Sequence, residues 1–281
     1  MSTTTLAAPG SVLAHHPLGV STGYMAYSRG DWPQQVRQAW DMSPFAVELS
    51  ALSEGELDGL ARYFDSAPRL PFRYLSIHGP SKALSMPEAE LGSVLARLAD
   101  RAQAIVLHPD TIEDPDNFRV LGRKLVLENM DARKDAARTV PELEPWFSAL
   151  PQAGFCFDIA HAASVDPSME LGSELLDAFR ARLRHVHVSS MGSSLDHVSL
   201  GASDEELFMP LLHRCLDVPW ILEAPRGKAD RAAAVTEPMS IGRARCGLLE
   251  RRGCPYRGCR RVPRCKAGRP RGIGFPACVA E

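Results

Sequence analysis

Six short apolar runs in this 281-residue chain each end on a side chain able to bind a cation, and no other feature constrains the fold as strongly. Lys124-Leu-Val-Leu-Glu128, Gly154-Phe-Cys-Phe-Asp158, Leu183-Arg-His-Val-His187 and Trp220-Ile-Leu-Glu223 end on a carboxylate or an imidazole. Tyr74-Leu-Ser-Ile-His78 and Ala104-Ile-Val-Leu-His108 end on histidine. When parallel strands close into a (β/α)8 barrel, their C-terminal ends all open on one face, where such barrels carry their chemistry. Residues scattered over half the sequence would then meet in one mouth.

Apolar runs alternate with amphipathic stretches every 20 to 30 residues or so, the pattern of a parallel α/β fold. Eight strands are expected, at 18–21, 45–49, 74–78, 104–108, 124–128, 154–158, 185–189 and 220–223. Ser53-Glu-Gly-Glu56 and Ser203-Asp-Glu-Glu206 fit the capping box that satisfies free amides at a helix start. Ser85-Met-Pro87 opens another helix, with proline early in the first turn. Eight strands with interleaved helices favour a closed TIM barrel over an open sheet.

The organisation expected is a lead-in at 1–17, a compact barrel at 18–225 and an atypical tail at 226–281. The tail holds 14 Lys/Arg against four Asp/Glu, a net +10, and five of the seven cysteines. Its Arg/Gly/Pro/Cys bias and lack of helical period read as disorder or a non-native segment; a metal knuckle and a basic nucleic-acid arm are the alternatives. The cysteine spacing matches no diagnostic zinc or iron–sulfur pattern. Residues 1–225 carry 18 basic and 30 acidic residues, a net −12, and an acidic surface does not draw in polyanions at long range. No apolar run nears the roughly 18 residues of a membrane helix, and no secretory leader is visible. A cytoplasmic protein with no membrane partner is expected.

Side chains alternate faces along a strand. Glu128 therefore points inward with Val126 and Lys124, Asp158 with Cys156, and Glu223 with Ile221. Each carboxylate is the last inward position before its loop, where desolvation is costly without a cation or donor. A divalent metal is the simplest compensation: Mn2+, Mg2+ or Co2+ for an oxygen-rich set, Zn2+ as imidazoles are added. His161 lies just past the sixth strand, and Asp196-His197-Val-Ser-Leu-Gly201 could return His197 to the same mouth. His185 points inward one layer deeper and reads as structural or supporting. His15, His16 and His213 read as surface residues, and Glu48 as a core-edge or substrate-binding residue. Lys82, Arg133 and Lys134, in loops after the third and fifth strands, are either solvated charges or binders of a phosphate or carboxylate.

Glu128 in Leu-Glu-Asn, Asp158 in Phe-Asp-Ile-Ala-His, His187, and Glu223 in Ile-Leu-Glu-Ala-Pro resemble the metal-binding set of the xylose isomerase-like TIM-barrel superfamily over residues 18–225. That superfamily holds sugar isomerases and epimerases and the endonuclease IV-like AP endonucleases (AP endonuclease family 2). His78, His108 in Leu-His-Pro, His161 and His197 in His-Val-Ser-Leu-Gly are similar to the additional ligands of the endonuclease branch. One position departs: that branch has aspartate two residues before the last histidine, and Leu195 stands here.

The isomerase resemblance implies a metal-dependent isomerase or epimerase of a small sugar or sugar phosphate. Glu128, Asp158, His187 and Glu223 would hold one metal; Glu128 and Glu223 would shuttle a proton through an enediolate, and His161 would steady a hydroxyl. The endonuclease resemblance implies hydrolysis of abasic DNA at two or three cations, with nucleic acid as partner. A third reading is a noncatalytic metabolite-binding barrel. Short loops and acidic charge place the isomerase first, and a homo-oligomer is possible because no eighth barrel helix is visible after Glu223.

Overall fold

A computed structural model describes residues 16–67, 69–82 and 84–224 of the chain; the 226–281 tail and all but the last two residues of the lead-in lie outside them. Eight parallel strands form a closed barrel in the order β1-β10-β7-β6-β5-β4-β3-β2. They are β1 (Leu18–Ser21), β2 (Ala46–Ser50), β3 (Tyr74–His78), β4 (Ala104–Leu107), β5 (Leu125–Glu128), β6 (Gly154–Asp158), β7 (Leu183–Val188) and β10 (Trp220–Leu222). β8 (Ser190–Met191) and β9 (His197–Val198) make a separate antiparallel hairpin past β7. The expected strands are all present with ends shifted by one or two residues; His108 and Glu223 fall just past β4 and β10, at the loop start.

The connections are α1 (Trp32–Met42), α2 (Glu54–Ser66), α3 (Glu88–Ala99), α4 (Val140–Ala149), α5 (Ile159–Val165), α6 (Glu170–Phe179) and α7 (Ala202–Leu212). Between β4 and β5 the chain instead forms a 3₁₀ segment, Pro115–Lys124, kinked at Gly122 (φ 55°). It lies tight on α3: a Cβ at Gly92 would stand 2.3 Å from the Asn117 carbonyl oxygen, so only glycine lets the two backbones approach this closely.

Two helix starts differ from expectation. α7 begins at Ala202, where Asp204 Oδ2 accepts the Gly201 N–H at 2.8 Å, so Asp204 serves in place of the Ser203–Glu206 pair. Pro87 precedes α3 as its cap residue, with φ −55°. The Ser53 N–H does meet Glu56 Oε2, at 3.1 Å. Among the described residues no helix is long and apolar enough to cross a membrane.

Two apolar layers follow from strand alternation. Outward residues pack under the helices, with Phe155 of β6 against Phe179 of α6 and Phe147 of α4 at ring distances of 5.5 and 6.2 Å. Inside the barrel the filling is small: Ala104, Val106, Val126 and Cys156, capped by Tyr74. Because Phe155 is fully buried, Phe155→Ala should lower unfolding stability by about 3–5 kcal/mol through lost transfer energy and a residual cavity. A urea titration should show an earlier midpoint with an unchanged slope.

His16 corrects the sequence reading. It is buried, its ring 3.9 Å from that of Trp220, because the Trp220 N–H donates to the Pro17 carbonyl and ties the lead-in to β10. His213 is exposed as expected.

Candidate functional site

Strand register does most of the assembly. Asp158 is paired with His187 across β6 and β7, and Glu128 with Cys156 across β5 and β6. Glu128, Asp158, His187 and Glu223 are all buried and each offers a donor atom within 4.8 Å of the others. Two further groups meet the same criterion and share members with it: His78, His108 and Glu128 on one side, Asp158, His161 and His197 on the other. All eight residues that the sequence singles out as candidate ligands therefore converge in one mouth.

Glu128 sits at the centre. Its Oε2 lies 3.3 Å from His78 Nε2 and 3.4 Å from His108 Nε2. Its Oε1 lies 3.2 Å from His187 Nδ1 and 3.4 Å from His161 Nδ1. Burial acts to raise its pKa, but the surrounding imidazoles, His187 foremost, hold the carboxyl well below its usual range.

The histidines are aimed by their outer nitrogens. His78 Nδ1 lies 2.9 Å from the Gly79 carbonyl and His161 Nδ1 2.8 Å from the Asn129 carbonyl. A carbonyl only accepts, so both rings carry the proton at Nδ1 and, when neutral, present a lone pair at Nε2. Those lone pairs face the Nε2 atoms of His108 and His197 at 3.1 and 3.2 Å. Buried Glu128 Oε2 and Asp158 Oδ2 have no hydrogen-bond partner. Facing nitrogen donors and unpartnered carboxylate oxygens are what a cation satisfies, and the donor set fits divalent metals, with the imidazole content favouring Zn2+.

Protonation of the cation-free site follows its charges. Burial favours neutral His78, but its contact with Glu128 and the nearby carboxylates raise it to about 9. Burial and the charges of Glu48, Glu128 and Asp158 push Glu223 up to about 8 against the pull of His187. Burial lowers His187, but its acidic neighbours, with Glu223, Glu48 and Glu128 supplying the charge, raise it well above its ordinary value. Burial lowers His108 and His197.

The rim is more committed than its sequence suggests. Arg133 pairs with Asp131 at 2.6 Å, and Lys134 with Asp110 at 2.5 Å. Lys82 is exposed, its backbone N–H donating to the Leu52 carbonyl at 3.1 Å. His197 arrives on the β8–β9 hairpin, whose turn holds Leu195 at φ 56°; Ser189 Oγ sits 2.8 Å from its Nδ1. Asp196, beside it, is exposed.

Sequence reasoning missed several supporting residues. Asn129 clips β5 to β6, its side chain exchanging two 2.9 Å hydrogen bonds with the Asp158 backbone. Tyr24, in the loop after β1, lies 5.4 Å ring to ring from His197. Burial, then the charges of Glu223, Asp158 and Glu128, raise its hydroxyl pKa, so it stays a neutral donor over the site. Leu-Glu-Asn contained the Asn129 signal; nothing in Ser-Thr-Gly-Tyr24 marks the tyrosine.

A fourth cluster, Cys156, His185 and His187, lies deeper along the axis. The His187 Nε2 is committed to Glu48 at 3.2 Å, and burial holds the Cys156 thiol protonated. It is a supporting layer rather than a ligand set.

No protein-family model and no curated protein matches this chain. Solved structures do. A 3-keto-D-glucoside 4-epimerase from E. coli is 15% identical, covering 78% of this chain and 95% of its own, with a TM-score of 0.50. An L-ribulose 3-epimerase is 12% identical, covering 80% and 88%, also at 0.50. Endonuclease IV from Thermus thermophilus is 22% identical, covering 72% and 90%, at 0.47. The likeness is one of fold, and at that level it agrees with the xylose isomerase-like resemblance carried by Glu128, Asp158, His187 and Glu223.

Proposed function

We propose that this chain is a divalent-metal-dependent phosphoester hydrolase working through a multi-cation centre in the barrel mouth. The position of Glu128 carries the reading: Oε2 lies 3.3 and 3.4 Å from His78 and His108 Nε2, and Oε1 3.2 Å from His187 Nδ1. An enediolate mechanism needs this carboxylate free to take a proton from carbon. Here Glu128 is shared by the first and second candidate ligand groups and Asp158 by the second and third, so each would serve two neighbouring cations.

His78, His108 and Glu128 would hold one cation; Glu128, Asp158, His187 and Glu223 a second; Asp158, His161 and His197 a third. When bound, such cations lower the pKa of attacking water and neutralise charge on a transferring phosphoryl group. The protein's own part is orientation. The Gly79 and Asn129 carbonyls hold His78 and His161 in one tautomer, and the Asn129 clip fixes Asp158. The Tyr24 hydroxyl is available to donate to a substrate oxygen. Arg133 and Lys134, the substrate-binding candidates nearest the mouth, would reach a phosphate only by giving up Asp131 and Asp110.

The sugar isomerase or epimerase, which the sequence places first, becomes the second reading, and Glu223 favours it. Buried at the mouth 3.3 Å from His187 Nδ1, its carboxyl would serve with Glu128 as the second proton-shuttling group. The epimerases that share the fold act on sugars by their names. Elemental analysis of gently purified protein, with assays on abasic duplex DNA, bis(p-nitrophenyl) phosphate and ketoses, separates the two. Two or three zinc ions per chain with phosphoester cleavage are expected. One metal per chain with epimerisation of a ketose and no cleavage would reverse the order.

A further inference from the structure

We infer that Glu48, on β2, is a positioning residue that fixes His187 from below, backed by Ser76, His185 and Tyr74. The sequence left Glu48 between a core-edge and a substrate-binding role. Its side chain is wholly buried, with Oε2 engaged by Ser76 and His187. Glu48 Oε2 lies 3.2 Å from His187 Nε2, and His187 Nδ1 on the far side of the ring lies 3.2 Å from Glu128 and 3.3 Å from Glu223. The ring thus spans the layer between the buried carboxylate and the mouth.

One proton arrangement orients the donors below the mouth towards Glu48 Oε2, although Glu48 Oε1 and His185 Nε2 have no hydrogen-bond partner. Ser76, paired with Glu48 in the β2–β3 register, donates its hydroxyl to Glu48 Oε2 at 2.9 Å. His185 Nε2 points at the same oxygen from 3.6 Å, while its Nδ1 lies 2.8 Å from the Tyr74 hydroxyl. With Tyr74 O–H donating to His185 Nδ1 and Nε2–H on both histidines, Ser76 and His187 donate to Glu48 Oε2 while His185 Nε2 stands beside it beyond hydrogen-bond distance. A buried carboxylate is costly unless such donors meet it. Its presence therefore keeps a proton of His187 at Nε2, so that when the ring is neutral the Nδ1 lone pair faces Glu128 and Glu223. A carboxylate behind a ligating imidazole also increases its donor strength, and losing such a partner typically costs about 10–100-fold in metal affinity. This role for His187 rests on the multi-cation reading; the hydrogen bond that Glu48 makes to it does not.

Two measurements on full-length wild type, Glu48→Gln and Glu48→Asp separate these. The first is the proton NMR signal of the His187 Nε2–H, expected downfield of the amide region and assigned through His187→Gln. It should be present with or without metal and lost or displaced in Glu48→Gln. The second is Zn2+ affinity by competition with a chromophoric chelator, expected to fall about 10–100-fold in Glu48→Gln and to recover in part in Glu48→Asp. Circular dichroism and the metal-free melting temperature establish that each variant is folded. A signal indifferent to Glu48→Gln overturns the inference, as does an unchanged Zn2+ affinity in folded Glu48→Gln. A wild type that takes up no Zn2+ while its signal still depends on Glu48 supports the Glu48–His187 contact and sinks the metal reading alone.

Discussion

Glu128→Ala should abolish phosphoester cleavage, with a loss of at least about 10³-fold, and should reduce bound metal by more than one ion per chain. The two effects separate the readings. If Glu128 served one cation, its loss would remove one ion and leave His161, His197 and Asp158 without consequence. Because Glu128 touches His78 and His108 with one oxygen and His187 with the other, removing it opens the first and second groups together. Apo stability works in the opposite direction. Glu128 is a buried carboxylate whose Oε2 meets His78 and His108 only at 3.3 and 3.4 Å, so its removal relieves a desolvation cost while stranding the imidazoles it compensates. The melting temperature of the metal-free protein should shift far less than the activity falls. Glu128→Gln, nearly isosteric, should lose metal comparably, since a neutral amide is a poor ligand for hard or borderline cations. Elemental analysis and initial rates on bis(p-nitrophenyl) phosphate check both variants; a variant retaining the wild-type metal content would remove the basis for a bridging role.

That one residue can matter to two sites was only half visible in the sequence. The inward position of Glu128 follows from the period-2 alternation of Leu125–Glu128, and the same arithmetic places Asp158, His187, His78 and Glu223 at the mouth. Such local periodicity fixes which face a side chain occupies. It does not fix which oxygen meets which ring, because that depends on the stagger between strands far apart in the chain. Glu48 is the clearest case. It lies 139 residues from His187, and only closure of the barrel brings β2 across the axis from β7. The deeper layer escaped for the same reason: Tyr74 reads as the start of a strand, and its bond to His185 joins positions 111 residues apart. His197 was legible as a candidate because its loop returns to the mouth, but the turn that aims it, with Leu195 at positive φ, has no glycine or asparagine signature at that position. His16 was misjudged because its burial depends on Trp220, whose strand neighbours β1 only in the closed barrel.

The same buried charges predict that metal and pH should act on stability in opposite senses. In the cation-free protein, His78 is raised to about 9 and Glu223 to about 8, against ordinary values of 6.5 and 4.5. Folded protein therefore binds more protons than unfolded chain, and stability falls with rising pH wherever that excess persists. For Glu223 the loss runs from about pH 4.5 to 8. For His78 the stabilisation is complete below about 6.5 and gone once pH has passed through about 9. Glu48 and Glu128 are depressed and already ionised in both states above about pH 6, and His108, His185 and His197, lowered by burial, are neutral in both states above about 7. Over about pH 7–9 the raised groups thus set the slope, and the metal-free protein should melt progressively lower. Cations compete with those same protons, so affinity should climb over the same interval. Free Zn2+ held at about 1,000 times its dissociation constant should stabilise the fold by about 4 kcal/mol, or roughly 8–16 °C in melting temperature for a barrel of about 200 residues. At a fixed free Zn2+ below saturation, the gap between loaded and metal-free melting curves should widen from about pH 7 to pH 9. Scanning calorimetry at buffered free metal checks this directly: a gap that narrows with pH would mean that the protons on His78 and Glu223 are not the ones metal displaces, and a missing gap would mean that no cation binds at Glu128 and its neighbours.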